Sequence, residues 1–88
     1  MTSLTSADPT ATLARLREAF TTALELAPDV DHETLAYRET PTWDSVAHMQ
    51  LVVAIEGAFD VMLETEEVLA LSSFPEARNI LRKHGVAF

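Results

Sequence analysis

TWDSVAHMQLVVAIEGAF, Thr42 to Phe59, decides how the rest of the chain folds. Its apolar residues recur three and four apart, the period of an α-helix, and do not alternate as a half-buried strand would. Asp44 and Ser45 stand just before the run, and both residue types favour a helix N-cap. The helix is therefore expected to begin at Asp44 or Ser45 and to end near Phe59. Projected at about 100° per residue, it carries two apolar stripes. Leu51, Val52, Ile55, Ala58 and Phe59 form the stripe expected to face the core. Val46, Met49 and Val53, continued by Gly57, point nearly opposite and are flanked by Gln50 and Glu56. A small bundle has little with which to cover both. The second stripe is expected to be a surface recognition strip, because apolar patches rimmed by polar groups mark interaction sites. The alternative is a neighbouring loop folded over it.

Upstream, Leu13, Leu16, Phe20, Ala23 and Leu24 recur at helical spacing. Ser6 or Asp8 is expected to cap this first helix, Pro9 suits its first turn, and Pro28 is expected to stop it. Residues 28–43 then form a long polar connection with Leu35 and Tyr37 as expected anchors; connections of that length in small domains are often functional. Downstream, Thr65 to Ala70 reads as one or two helical turns. Ser73-Phe74-Pro75-Glu76 has capping-box spacing. Phe74, Ala77, Ile80 and Leu81 give the last helix its apolar face, and Gly85 can end it. No segment alternates with period two. The expectation is one all-α domain over residues 1–88, with three main helices and one short helix around a single core.

Composition narrows the function. A chain of 88 residues buries only about 60–65% of its unfolded surface, so the core must be small. It has no cysteine, which removes disulfides and thiolate metal sites. The opening MTSLTSADPT has neither a basic region nor a long apolar run, so no signal peptide is expected there, and no run elsewhere has the length of a bilayer span. The expectation is a cytoplasmic monomer. The net charge is −8, which opposes nucleic acid and anionic membrane surfaces as partners. Between Asp29 and Glu67 every charged residue except Arg38 is acidic, counting histidine as neutral, whereas Arg78, Arg82 and Lys83 cluster near the C-terminus. Such an acidic block is either a solvated face or a docking surface for basic partners.

Ser45 lies in the first turn beside the apolar strip. One cap needs only one residue, yet Asp44 and Ser45 occur together. A phosphate on Ser45 would lie at the positive end of the helix dipole, among amide donors that have no partner within the helix. Asp44-Ser45-Val46 resembles the Asp-Ser-Leu motif at which acyl carrier proteins receive 4′-phosphopantetheine. The likeness extends without gaps from about Asp44 to Leu81: Asp-Ser, an apolar helix, Glu56 before the closing Phe59, the acidic Glu64–Glu67 segment, and Phe74–Leu81. The resemblance implies an acyl-carrier-like bundle that is not itself an enzyme. It implies a phosphopantetheinyl transferase that loads Ser45 from coenzyme A. It further implies an acyl or related group held as a thioester and presented to partner biosynthetic enzymes with basic docking surfaces. Those partners are expected to meet Val46, Met49, Val53 and Glu56. Val46 stands in place of the usual leucine. His48, Gln50 and Gly57 stand where many fatty-acid carriers are more polar or acidic, and Thr42-Trp43 replaces the Gly-Gly of many peptidyl carriers. That last departure resembles free-standing carriers of specialised biosynthetic pathways, with polyketide, fatty-acid or other natural-product synthesis left open. An aminoacyl or peptidyl carrier is the alternative within the class. An unmodified helical interaction module is the alternative outside it.

Other constellations carry less. Asp29-Val30-Asp31-His32-Glu33 has the oxygen ligands of a calcium loop, but Thr34 and Thr40 occupy the positions where an EF-hand needs glycine and glutamate. His32, His48 and His84 have no metal-ligand spacing, so no metal is expected. Ser45 and His48 stand one helical turn apart, as a nucleophile and base could, yet nothing suggests an oxyanion hole. His48 falls near Ile55 on the wheel. It is expected to be a satisfied, partly buried histidine, or to line an opening for the attached group.

Overall fold

In the computed structural model, which describes residues 9–88, the decisive stretch is helical from Ser45 to Phe59 with Asp44 as its N-cap. This helix, α2, follows α1 (Pro9–Leu24) and precedes α3 (Thr65–Ala70) and α4 (Phe74–Lys83). A single 3₁₀ turn, His32–Thr34, interrupts the long α1–α2 connection. No strand forms among the described residues; one isolated antiparallel bridge joins Ala36 to Ser73 and ties that connection to the start of α4. The all-α expectation holds, with three main helices and a short one. Ser6 and Asp8, expected as caps of α1, lie outside the described residues.

α1 packs along α2, and α4 meets the 3₁₀ turn and adds its apolar face to the same core. Leu16, Phe20 and Leu24 of α1 meet Leu51, Val52 and Ile55 of α2 and Phe74, Ile80 and Leu81 of α4, all buried. The Phe20 ring sits edge-on to Trp43 at 5.5 Å and to Phe74 at 5.0 Å, the arrangement aromatic quadrupoles favour. Trp43, on the connection rather than on a helix, is fully buried and is the largest residue in the core. Leu35 is buried as its anchor role required, and Tyr37 is half-buried beside Trp43.

Two expectations about the ends need correction. Phe59 and Ala58 are only half-buried. Phe59 lies at the edge of the bundle, under the Arg15 guanidinium at 5.7 Å and 6.4 Å from the Phe88 ring. It therefore borders the core without filling it. Pro28 does not end α1. The helix stops at Leu24 because Glu25 turns left-handed (φ 53°) and Leu26 N–H reaches back to the Thr21 carbonyl. The same closing pattern ends α2 at Asp60 (φ 55°), with Val61 N–H on the Glu56 carbonyl. It also ends α4 at Gly85 (φ 89°), with Val86 N–H on the Leu81 carbonyl. At the head of α4, Ser73 accepts the Glu76 N–H as the capping-box spacing required.

Candidate functional site

The turn before α2 is built by backbone hydrogen bonds that leave it little freedom. Ala36 N–H donates to the Thr40 hydroxyl at 3.0 Å, and Thr40 N–H donates back to the Ala36 carbonyl at 2.9 Å. Trp43 N–H meets the Thr40 carbonyl at 2.9 Å, and Arg38 N–H meets the Trp43 carbonyl at 3.1 Å, with Arg38 left-handed at φ 69°. Burial of the Trp43 side chain pins the last residue before the cap. Asp44 is extended, and its carboxylate accepts the Ala47 N–H at 2.9 Å. Asp44 alone therefore caps α2, and the serine is released from that task. Ser45 is exposed, and its hydroxyl makes no hydrogen bond with any described residue. It borders an open cleft of about 330 Å³ shared with Arg38, Thr40, Pro41, Trp43 and Asp44. A free hydroxyl thus sits at the amide-rich, electropositive end of a fifteen-residue helix.

The strip beyond it is bare. Val46 is 68% exposed, Met49 54% and Val53 65%. The long connection does not fold over it; that segment is held instead against α4 and the core through Leu35, Trp43 and the Ala36–Ser73 bridge. Gly57 continues the strip, and a Cβ built on it would meet open space. Among the described residues, no packing requires glycine there. Glu56 has a second occupation: one carboxylate oxygen accepts the Leu63 N–H at 2.9 Å, which ties down the α2–α3 connection. Sequence reasoning missed this role, because no local motif signals a contact seven residues away.

His48 is buried, and both its nitrogens are engaged. Nδ1 accepts the Trp43 indole N–H at 3.0 Å, and Nε2 lies 2.8 Å from the Val68 carbonyl oxygen. The first bond makes Nδ1 the acceptor, so Nε2 carries the proton and donates. The satisfied-histidine expectation holds. With neither nitrogen free to take the Ser45 proton, the two residues form no nucleophile–base pair.

Two acids of the Asp29–Glu33 segment, Asp31 and Glu33, are spent on structure. Asp31 accepts the Glu33 N–H at 3.0 Å and caps the 3₁₀ turn. Glu33 forms a two-pronged ion pair with Arg78 of α4. That hydrogen bond holds the Glu33 carboxyl below the usual carboxylate range and raises Arg78. His32 shares a hydrogen bond with Thr21 at 3.2 Å, and burial lowers its affinity for a proton. Among the described residues, no group of three or more His, Asp or Glu side chains is gathered as a metal site would need. No helix there is long and apolar enough to cross a membrane. Comparison with protein-family models, characterised proteins and solved structures finds no match to this chain.

Proposed function

We propose that the chain is an acyl carrier protein whose Ser45 hydroxyl is esterified with 4′-phosphopantetheine. The observation that carries this reading is the division of labour at the head of α2: Asp44 makes the cap and Ser45 is left exposed and unbonded. In the loading step the Ser45 oxygen bonds to phosphorus and gives up its proton, and the pyrophosphate bond of coenzyme A breaks to release 3′,5′-ADP. The reaction needs a separate phosphopantetheinyl transferase, since His48 is not free to act as a base. Ser45 and its neighbours suit the product: a phosphodiester there faces the unpaired amides of the first helical turn and gains a favourable dipole interaction of about 0.3–1 kcal/mol. Once attached, the group supplies a terminal thiol that holds an acyl or related cargo as a thioester. The chain then acts as a cytoplasmic tether, not as a catalyst, and raises the cargo's effective concentration at each partner enzyme.

Val46, Met49 and Val53 supply the apolar contact for those partners, and the surrounding acids, Glu56 among them, select basic docking surfaces. Intact-mass measurement after incubation with coenzyme A, magnesium and a broad-specificity transferase tests the assignment. Wild type is expected to gain one phosphopantetheine, and Ser45→Ala none while keeping the helical signal of the wild type, because Asp44 still caps α2. An unmodified wild type, or a loaded Ser45→Ala, would overturn the carrier reading. The exposed strip would then favour an interaction module that works without modification.

A further inference from the structure

Helix α3 is the exception among the four helices: no residue within it is buried. Val68 is half-buried against the core, Leu69 is 78% exposed, and the buried Leu71 lies just past the helix end. Beyond the packing of Val68 and the anchor at Leu71, what holds α3 is polar. On one side His48 of α2 donates its Nε2 proton to the Val68 carbonyl. On the other, His84, which caps α4, donates from Nε2 to the Glu67 carboxylate at 2.9 and 3.1 Å. One oxygen of that carboxylate also accepts the Glu64 N–H at 2.9 Å, closing the first turn of α3. A helix fastened by a few hydrogen bonds, with little apolar burial of its own, belongs to the low-stability end of a protein's local openings.

The fastening on the α2 side reaches further than α3. The same imidazole accepts the indole N–H of Trp43 at 3.0 Å, with the Tyr37 ring 4.7 Å away on its flank. Trp43 stands two residues before Ser45 and anchors the turn that presents it. An imidazole is rigid, so its two nitrogens cannot seek partners independently. If α3 lifts, the Nε2 proton loses the Val68 carbonyl that fixes its direction and takes water in its place. The ring is then held at one nitrogen only, and any turn of it draws Nδ1 away from the indole.

We propose that α3 is a hinged flap coupled to the Ser45 turn through the Trp43–His48–Val68 hydrogen-bond relay, with His48 as the positioning residue between them. Closed, α3 keeps Trp43 seated and the turn fixed. Open, it loosens the turn and uncovers the Tyr37–His48 edge of the core. The coupling runs in both directions, so whatever displaces the turn also frees α3. It stands independently of whether Ser45 is modified.

The chain has one tryptophan, so a single indole N–H resonance reports on the far end of the relay. Amide and indole hydrogen exchange of the full chain, followed by NMR in wild type and in His84→Ala, forms the test. His84→Ala cuts the α4 fastening and touches neither Trp43 nor His48. The expected result is about tenfold faster exchange at the Val68 and Leu71 amides and a several-fold faster Trp43 indole, with the buried amides of α1 unchanged. Faster α3 amides with an unchanged indole would overturn the coupling. Uniform acceleration throughout the chain would mean a general loss of stability and would overturn it too, as would no change anywhere. His48→Phe preserves the ring's bulk and removes both bonds, and should shift the indole resonance while freeing α3. Should that variant fail to fold, the His84→Ala measurement decides alone.

Discussion

At the scale of single residues, exposure and burial on α2 separate what serves the fold from what the fold leaves bare. Gly57 has open space where a side chain would go, and a mid-helix glycine forgoes about 0.5–1 kcal/mol relative to alanine. Gly57→Ala is therefore expected to raise the unfolding free energy by about that amount in a denaturant titration. A partner whose backbone approaches the strip there would at the same time bind the variant more weakly. Unchanged stability would mean that glycine answers a constraint within the chain. The aromatic residues divide in the same way. Phe74 is fully buried, so Phe74→Ala should lose about 3–5 kcal/mol. Phe59 is half-buried at the edge, and Phe59→Ala should lose about 1–2 kcal/mol in the same titration. Periodicity placed both residues on inward faces, correctly for Phe74. It could not show that Phe59 lies where α2 runs out past the core. Nor could it reveal Trp43, because a core residue on a loop has no helical neighbours to give it a period.

Among the elements, the middles of the helices were legible and the ends only partly so. The apolar spacing of Leu51, Val52 and Ile55, and of Phe74, Ala77, Ile80 and Leu81, placed two core faces, and Asp44 and Ser73 marked two starts. The stops were harder. Glu25, Asp60 and Gly85 all turn left-handed in equivalent closures, but only Gly85 is the residue type that advertises such a turn. The long connection was legible as a connection, but not as a strap held by the Arg78–Glu33 pair, because that contact spans α2 and α3. The pair has a pH signature. Arg78 lowers the folded-state pKa of Glu33, so its stabilisation is fully present above the ordinary carboxylate range and is lost as pH falls through the lowered value. Glu33→Gln should therefore be less stable than wild type near neutrality, by at most about 1 kcal/mol for a pair this exposed. The two stability curves should meet in acid. Thermal melts across the acid range check this; a gap that persists at the lowest pH would mean that the glutamate acts through packing and not through its charge.

For the whole molecule, the decisive quantity is a net charge of −8 spread unevenly over 88 residues. Asp29, Asp31, Glu39, Asp44, Asp60, Glu64 and Glu66 are exposed and α2 leaves its apolar strip bare, while Arg78 and Arg82 are occupied on α4 by Glu33 and Asn79. A basic partner would feel this field before contact and the apolar strip only afterwards. The two should separate kinetically. Charge acts on the encounter, and its reach falls to about 10 Å at 0.1 M salt. Short-range packing acts on the lifetime of the complex. Because Glu56 also accepts the Leu63 N–H, removing its charge calls for Glu56→Gln, which preserves an acceptor for that bond. Stopped-flow association with a broad-specificity phosphopantetheinyl transferase, the partner that the proposed function names, should then show an on-rate that falls as salt rises. In Glu56→Gln the on-rate at low salt should be lowered by a few-fold and should depend less on salt, with dissociation nearly unchanged. Met49→Asp, on an exposed position where the fold is indifferent, should instead speed dissociation. If association is independent of salt while Met49→Asp slows it, the encounter is directed by the strip and the acidic field is only solvated surface.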